Sequence, residues 1–189
     1  MPGRKETTMS YTAHIDTFAR DNLPPPNRMP EFLFERPEVR YPKRMNCAAE
    51  LLDRMVARGH GDRPVIHAMV EGQKYHGTYR QLLERANRIA HVLAEDLMLV
   101  PGTRVLLRGP NNPMMAACWF GIMKAGCIAV ATMPLLRAKE IKQVIDKAQC
   151  AVALCDVRLD EEMQLAHAQC PDLKQVLYFN DGAPGSLED

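Results

Sequence analysis

Apolar positions along this chain switch repeatedly between a period near 3.6 and short continuous runs, and that alternation is its clearest signal. Asn46 reads as a helix N-cap, and behind it Ala48, Leu51, Leu52, Met55 and Val56 recur at helical spacing until Gly59 and Gly61. Residues 64–70 alternate as a strand, Glu71-Gly72 turns the chain, and 73–77 reads as the returning strand. Thr78 and Gln81 form a capping box ahead of a helix whose Leu82, Leu83, Ala86, Ile89, Ala90, Val92 and Leu93 make an apolar stripe. Pro101-Gly102 is a turn, 104–107 a strand, 109–113 a loop, and 114–125 a helix stopped by Gly126. A strand at 127–132 follows, then a helix at 137–148 with Ile141, Val144 and Ile145 on one face. The pattern closes with a strand at 150–155, a helix at 159–167, a strand at 175–179 and a loop at 180–185.

Strands alternating with helices predict an α/β fold, a doubly wound and mostly parallel sheet with flanking helices. The near-unbroken apolar runs 127–130 and 150–154 predict strands covered on both faces. The hairpin 64–77 is expected beside that sheet. The first 45 residues are different: Pro2, Pro24, Pro25, Pro26, Pro30, Pro37 and Pro42 are half of the 14 prolines. Proline fixes φ and removes a donor, so 1–45 reads as an extended arm ahead of an α/β unit at 46–189. Phe18, Leu23, Phe32, Leu33, Phe34 and Tyr41 punctuate the arm and are expected to pack on the domain or on parts of the protein outside this chain, and a short helix fits 12–21. Internal repeats and low-complexity segments are absent from the sequence.

A length of 189 residues suffices for one domain with a real core, and 47% hydrophobic with 25% charged residues is ordinary for a globular chain. The net charge of +1 gives no footprint for nucleic acid or an acidic membrane surface. No apolar run approaches the ~20 residues of a membrane span, and the first residues lack the apolar core of an export signal. Cys47, Cys118, Cys127, Cys150, Cys155 and Cys170 form no C-x-x-C pair and have no histidine at zinc-like spacing. They read as free, buried thiols of a cytoplasmic protein.

Phosphate-binding loops need glycines, because backbone N–H groups must approach the anion closely. Neither G-x-x-x-x-G-K-[ST] nor G-x-G-x-x-G occurs, and no serine sits in a nucleophile elbow. His14, His60, His67, His76, His91 and His167 are scattered and read as surface or packing residues. Ligands of doubly wound sheets bind beyond the carboxyl ends of the strands, here the loops 109–113, 132–136 and 156–158. The candidates for cofactor contact on those loops are Asn111, Asn112, Pro134 and Arg137. Asn112 is equally placed to cap the next helix, with Pro113 at its first position, and capping is the default reading. The apolar loop Met133, Pro134, Leu135, Leu136 either walls an acyl pocket or buries against a further subdomain. Arg137, Lys139, Lys142 and Lys147 give their helix a basic side, read as a solvated face with phosphate contact as the sharper option.

Thr78-Tyr79, Gly102 with Val105, Pro110-Asn111, Lys124-Ala125-Gly126, Pro134 and the segment Ile141 to Ala148 stand in an order that resembles the start of AMP-forming acyl-CoA synthetases. That family includes luciferases and peptide-synthetase adenylation domains, and the resemblance covers about residues 46–180. The arm, with HIDTFARDNLPPP and NCAAELLD, resembles the aryl-CoA ligase branch, in particular 2-aminobenzoate- and benzoate-CoA ligases. The resemblance implies a two-step reaction that uses ATP, Mg2+ and CoA: a carboxylic acid, aromatic in this branch, becomes an acyl-adenylate, and CoA then displaces AMP. It also implies that this chain is the first subdomain of a longer enzyme, inactive alone. The phosphate loop, Thr-Glu pair, ribose-binding Asp and mobile-domain Lys would lie beyond Asp189, so no catalytic residue or metal ligand is expected here. Thr103 stands where an Asp commonly follows the Gly, and Leu135 stands where some relatives carry a basic residue near the CoA nucleotide, with Arg137 two further on.

Two function classes follow. One is a ligase subdomain whose partners are the rest of its own polypeptide, with exposed apolar surface and a tendency of the isolated chain to self-associate. The other is a self-contained flavodoxin-like binding or regulatory module with a closed surface and its own anion donors. The missing glycine loop and the apolar 133–136 loop favour the first.

Overall fold

The computed structural model describes residues 13–31, 36–42, 44–70, 72–184 and 186–188; Phe32, Leu33 and Phe34 of the arm, the turn residue Glu71, and Pro2 and Gly185 lie outside them. Among the described residues of the arm the one α-helix is α1 (Phe18–Asp21), shorter than the 12–21 span read from sequence, with single 3-10 turns at Pro26–Arg28 and Pro37–Val39. Asn46 then caps a helix over residues 47–60: its Oδ1 accepts from the N–H groups of Ala48 (3.0 Å) and Ala49 (3.2 Å). Two stretches of that helix, Ala49–Asp53 and Val56–His60, are wound as wide π turns, and Gly59 at φ +81° breaks it. Strands β1 (Pro64–Val70) and β2 (Gln73–Thr78) form an antiparallel hairpin that is its own two-stranded sheet. Thr78 and Gln81 cap α2 (Tyr79–His91) reciprocally, as their spacing predicts.

Strands β3 (Arg104–Arg108), β4 (Ile128–Thr132), β5 (Val152–Asp156) and β6 (Gln175–Phe179) make a parallel sheet in the order β4-β3-β5-β6. Helices α3 (Pro113–Lys124), α4 (Ala138–Ala148) and α5 (Asp160–His167) connect them. Because successive strand side chains face opposite ways, Val105, Leu107, Val152 and Leu154 enter one core with Leu82, Ala86, Ile89, Ala117 and Ile122 of α2 and α3. Leu106, Ala153 and Cys155 enter a second core with Ile141, Ile145, Met163 and Ala166 of α4 and α5. The result is a three-layer α/β/α unit.

Two further expectations need correction. The apolar run ending in β4 does not mark a strand covered on both faces: β4 is an edge strand and half-buried, whereas β3 and β5 are buried throughout. An apolar run records what a strand can bury and not which neighbours are present. Cys47 is exposed rather than buried. Leu23 and Tyr41 of the arm are exposed on this unit, which agrees with the second surface expected for them, parts of the protein outside this chain.

Phe18 explains how the arm attaches. Its ring lies 4.6 Å from the guanidinium carbon of Arg104, and Arg104 also pairs with Asp16. The N–H groups of Ile15 and Asp16 both donate to the Pro101 carbonyl at 2.9 Å. Gly102, at φ +96°, is required at this junction, because a Cβ there would collide with the Asp16 carbonyl oxygen. Arg104 completes the joint by donating to the carbonyls of Ala148 (2.8 Å) and Gln149 (3.1 Å). The arm therefore binds at the amino-terminal edge of the sheet, and the carboxyl edge is left for the strand-end loops.

Candidate functional site

The sheet order reverses at β3: the chain moves from β3 outward to β4, then returns to place β5 on the other side. The loops leaving β3 and β5 diverge there, which makes their carboxyl ends the topological switch point where doubly wound sheets take ligands. Gly109 opens the loop after β3 and must be glycine, since a Cβ would approach Phe179 Cζ to 2.9 Å and Met115 Sδ to 3.2 Å.

Asp156 ends β5 and is fully buried. Its Oδ2 accepts from Asn112 Nδ2 (3.1 Å), Asn180 Nδ2 (2.8 Å) and Arg158 Nη2 (2.7 Å). Its Oδ1 accepts from the backbone N–H (3.1 Å) and Nε (2.8 Å) of Arg158. Burial alone would raise this carboxyl's pKa, but the bonds from Arg158 and Asn180 outweigh it and hold the group below the ordinary aspartate value. Asn112 is equally committed: its Oδ1 accepts from the Met115 N–H at 2.9 Å, capping α3, and its Nδ2 also donates to the Pro110 carbonyl at 3.0 Å.

Arg108 ends β3 and is almost wholly buried. Its guanidinium donates to the carbonyls of Met133 (3.0 Å), Pro134 (3.0 Å) and Leu136 (2.9 Å), so it holds the loop after β4 from below. Burial presses its pKa down, with Cys155 and Glu162 opposing. Arg108 Nε and Thr132 Oγ1, on register-paired residues of β3 and β4, are the buried side-chain polar atoms left without a partner among the described residues.

Of the four residues singled out from sequence, two join this arrangement. Asn112 bonds Asp156, and Pro134 offers its carbonyl to Arg108. Asn111 is exposed and lines a cavity of about 530 Å³ with Leu51, Met115, Trp119 and Phe120. Arg137 is turned to Glu162 at 2.8 Å, whose other oxygen accepts from the Ala138 N–H at 2.7 Å at the start of α4. On the same helix Lys142 pairs with Asp146, as a solvated face would. Arg108, Asp156 and Asn180 were not singled out by sequence reasoning. For Arg108 and Asp156 the signal was a charged residue directly closing each central apolar strand, at the end where such sheets bind; Asn180, an uncharged residue just after edge strand β6, carried no such signal.

Chemically the cluster is a scaffold. Asp156 is paired with Arg158, Arg108 is committed to three loop carbonyls, and the neighbouring Cys155 thiol is pushed up to about 12 by burial, which makes it unreactive. Among the described residues no group of three or more His, Cys, Asp or Glu side chains is placed to hold a metal ion.

The sequence model of the AMP-binding enzyme family matches residues 53–188. The chain is 29% identical over 140 residues to the 3-hydroxybenzoate–CoA ligase of Aromatoleum sp. (strain CIB), covering 74% of this chain and 25% of that protein. It is 32% identical over 114 residues to the long-chain-fatty-acid–CoA ligase of Escherichia coli O6:H1, covering 60% of this chain and 19% of that one. Its fold is similar to the crystal structure of the anthranilate CoA ligase AuaEII in complex with anthranoyl-AMP, with a TM-score of 0.62 at 21% identity over 74% of this chain and 25% of that one. The chain thus spans a quarter or less of the length of these relatives.

Proposed function

Because this chain belongs to the AMP-binding enzyme family, we propose that it forms the first α/β subdomain of an acid–CoA ligase, with residues 1–45 as an arm that Ile15, Asp16 and Phe18 attach to it. The family match over residues 53–188 carries this reading. In the proposed reaction a carboxylate oxygen attacks the α-phosphorus of ATP, giving an acyl-adenylate and pyrophosphate. The CoA thiol then attacks the acyl carbon, AMP leaves, and a thioester remains. This chain's residues hold the frame: Asp156 locks the loops after β3 and β5, and Arg108 fixes the loop after β4. Magnesium would belong with the ATP, but Asp156 is saturated by Arg158, Asn112 and Asn180, and the carboxyl edge among the described residues offers no group of three or more ligands that fits the ion.

An aromatic acid is the substrate class we favour, supported by the 3-hydroxybenzoate–CoA ligase relative and by the sequence of the arm. The rival reading, a self-contained binding module, needs free donors at the switch point, where Asn112, Asn180 and Asp156 instead satisfy one another. No helix among the described residues is long and apolar enough to cross a membrane. We place the reaction in the cytoplasm, consistent with five buried free thiols. Trp119, Met133 and Leu135 are exposed, and the isolated chain is expected to self-associate through them, as read by light scattering.

The deciding experiment is acid-dependent exchange of pyrophosphate into ATP, run on the isolated 189-residue chain and on a longer polypeptide that contains it. The longer protein is expected to exchange with benzoate-type acids in preference to long-chain fatty acids, and the isolated chain not at all. Exchange by the isolated chain, or none by the longer protein with any carboxylic acid, overturns the proposal.

A further inference from the structure

The hairpin brings together two histidines that sequence spacing left apart. His67 on β1 and His76 on β2 are cross-strand partners, both exposed, on the hairpin face opposite Ile66 and Tyr75. Their rings meet edge to face with centroids 4.8 Å apart, and the two Nδ1 atoms are 2.8 Å apart. At that separation one Nδ1–H donates to the other nitrogen's lone pair, so the pair holds a single proton between two imidazole donors.

We propose that this pair is a surface chelate for a divalent transition metal of the copper(II) or nickel(II) class, with the cation replacing the shared proton. Imidazole nitrogen is a favoured ligand for those ions, and solvent completes the remaining positions. The hydrogen-bonded separation shows that both imidazoles reach one point. Divalent-ion affinity for nitrogen sites rises through nickel(II) to copper(II) and falls again at zinc(II), and four-coordinate zinc sites also want ligands this face lacks. Each ring has to turn outward by roughly half a right angle to aim its lone pair at a common point, which exposed side chains on an open face allow. Met69, two residues from His67 on the same face and 65% exposed, is the nearest soft donor along the strand. The site stands apart from the carboxyl-edge cluster and does not rest on the ligase reading.

The experiment is a calorimetric titration of the chain with Cu2+, Ni2+ and Zn2+ separately, in a Cys47→Ser background because Cys47 is an exposed competing thiol. One saturable site is expected, tighter for Cu2+ and Ni2+ than for Zn2+, with a copper resonance spectrum split by two equivalent nitrogens. His67→Ala and His76→Ala should each weaken binding by more than the roughly 10–100-fold that loss of an outer-shell partner brings. His91→Ala, an exposed histidine on α2, should leave binding unchanged. Absence of saturable binding, binding that survives either hairpin substitution, or zinc bound as tightly as copper overturns the proposal. Both substitutions lie on exposed strand positions, and an unchanged circular dichroism spectrum verifies that each variant is folded.

Discussion

Replacing Asn112 by alanine removes three bonds at one stroke: the cap on α3, the donation to Pro110 and the donation to buried Asp156. The lost cap is worth about 1 kcal/mol. A hydrogen bond to a charged group is worth about 1.5–3 kcal/mol, and Asp156 keeps its bonds from Asn180 and Arg158, so the lower end applies. The sum is about 2–3 kcal/mol, which for a chain of this size lowers Tm by roughly 4–12 °C. Asn112→Ser separates the parts. Serine can still cap the helix but cannot reach Asp156 or Pro110 with an amide, so it is expected to lose only about 1–2 kcal/mol. Urea unfolding of wild type and both variants measures these differences as midpoint shifts at constant slope. Equal losses for alanine and serine would refute the cap, and an alanine loss under about 0.5 kcal/mol would refute the whole network. In a longer active protein the same alanine variant is expected to retain its turnover. A fall of about a hundredfold, equivalent to about 2.7 kcal/mol of transition-state stabilisation, with unchanged Tm would show that Asn112 touches substrate after all.

Arg108→Met strands the carbonyls of Met133, Pro134 and Leu136, and is expected to cost about 3 kcal/mol or more in urea unfolding, with Arg108→Lys rescuing only part because the three donors of an ammonium share one nitrogen and cannot span what Nη1 and Nη2 reach together; a fully stable methionine variant contradicts the role. Asp156 has a depressed folded pKa, so the stability it adds is complete above its ordinary value of 3.8 and is lost as pH falls through the lower folded value. Asp156→Asn should therefore be less stable than wild type at neutral pH, with the gap closing only in strong acid; a gap that widens on acidification would contradict this. Arg104→Met removes the partner of Asp16 and Phe18 and is expected to free the arm, read as faster limited proteolysis within residues 13–45 while the α/β unit stays intact. Unchanged cleavage there would mean that the backbone bonds to Pro101 hold the arm unaided.

Amino-acid order alone determined a good deal of this molecule. The helices and strands follow from apolar periodicity, and the Thr78–Gln81 box and the Asn112 cap follow from donors and acceptors two or three residues apart. Such interactions are local, so their geometry is implied by spacing. The parallel sheet followed as well, because a helix between two strands leaves the chain little choice of direction. Only the tertiary structure decided which strand is central and which is at the edge, since β4 and β5 are both apolar runs and differ in neighbours. It also decided the partners of the charged residues. Asn112 meets Asp156 across 44 positions, Arg108 reaches Leu136 across 28, and His67 faces His76 only because the hairpin register pairs them. Those contacts depend on sheet order and register, which are settled by the packing of whole faces and leave no mark on the residues beside each partner in the chain.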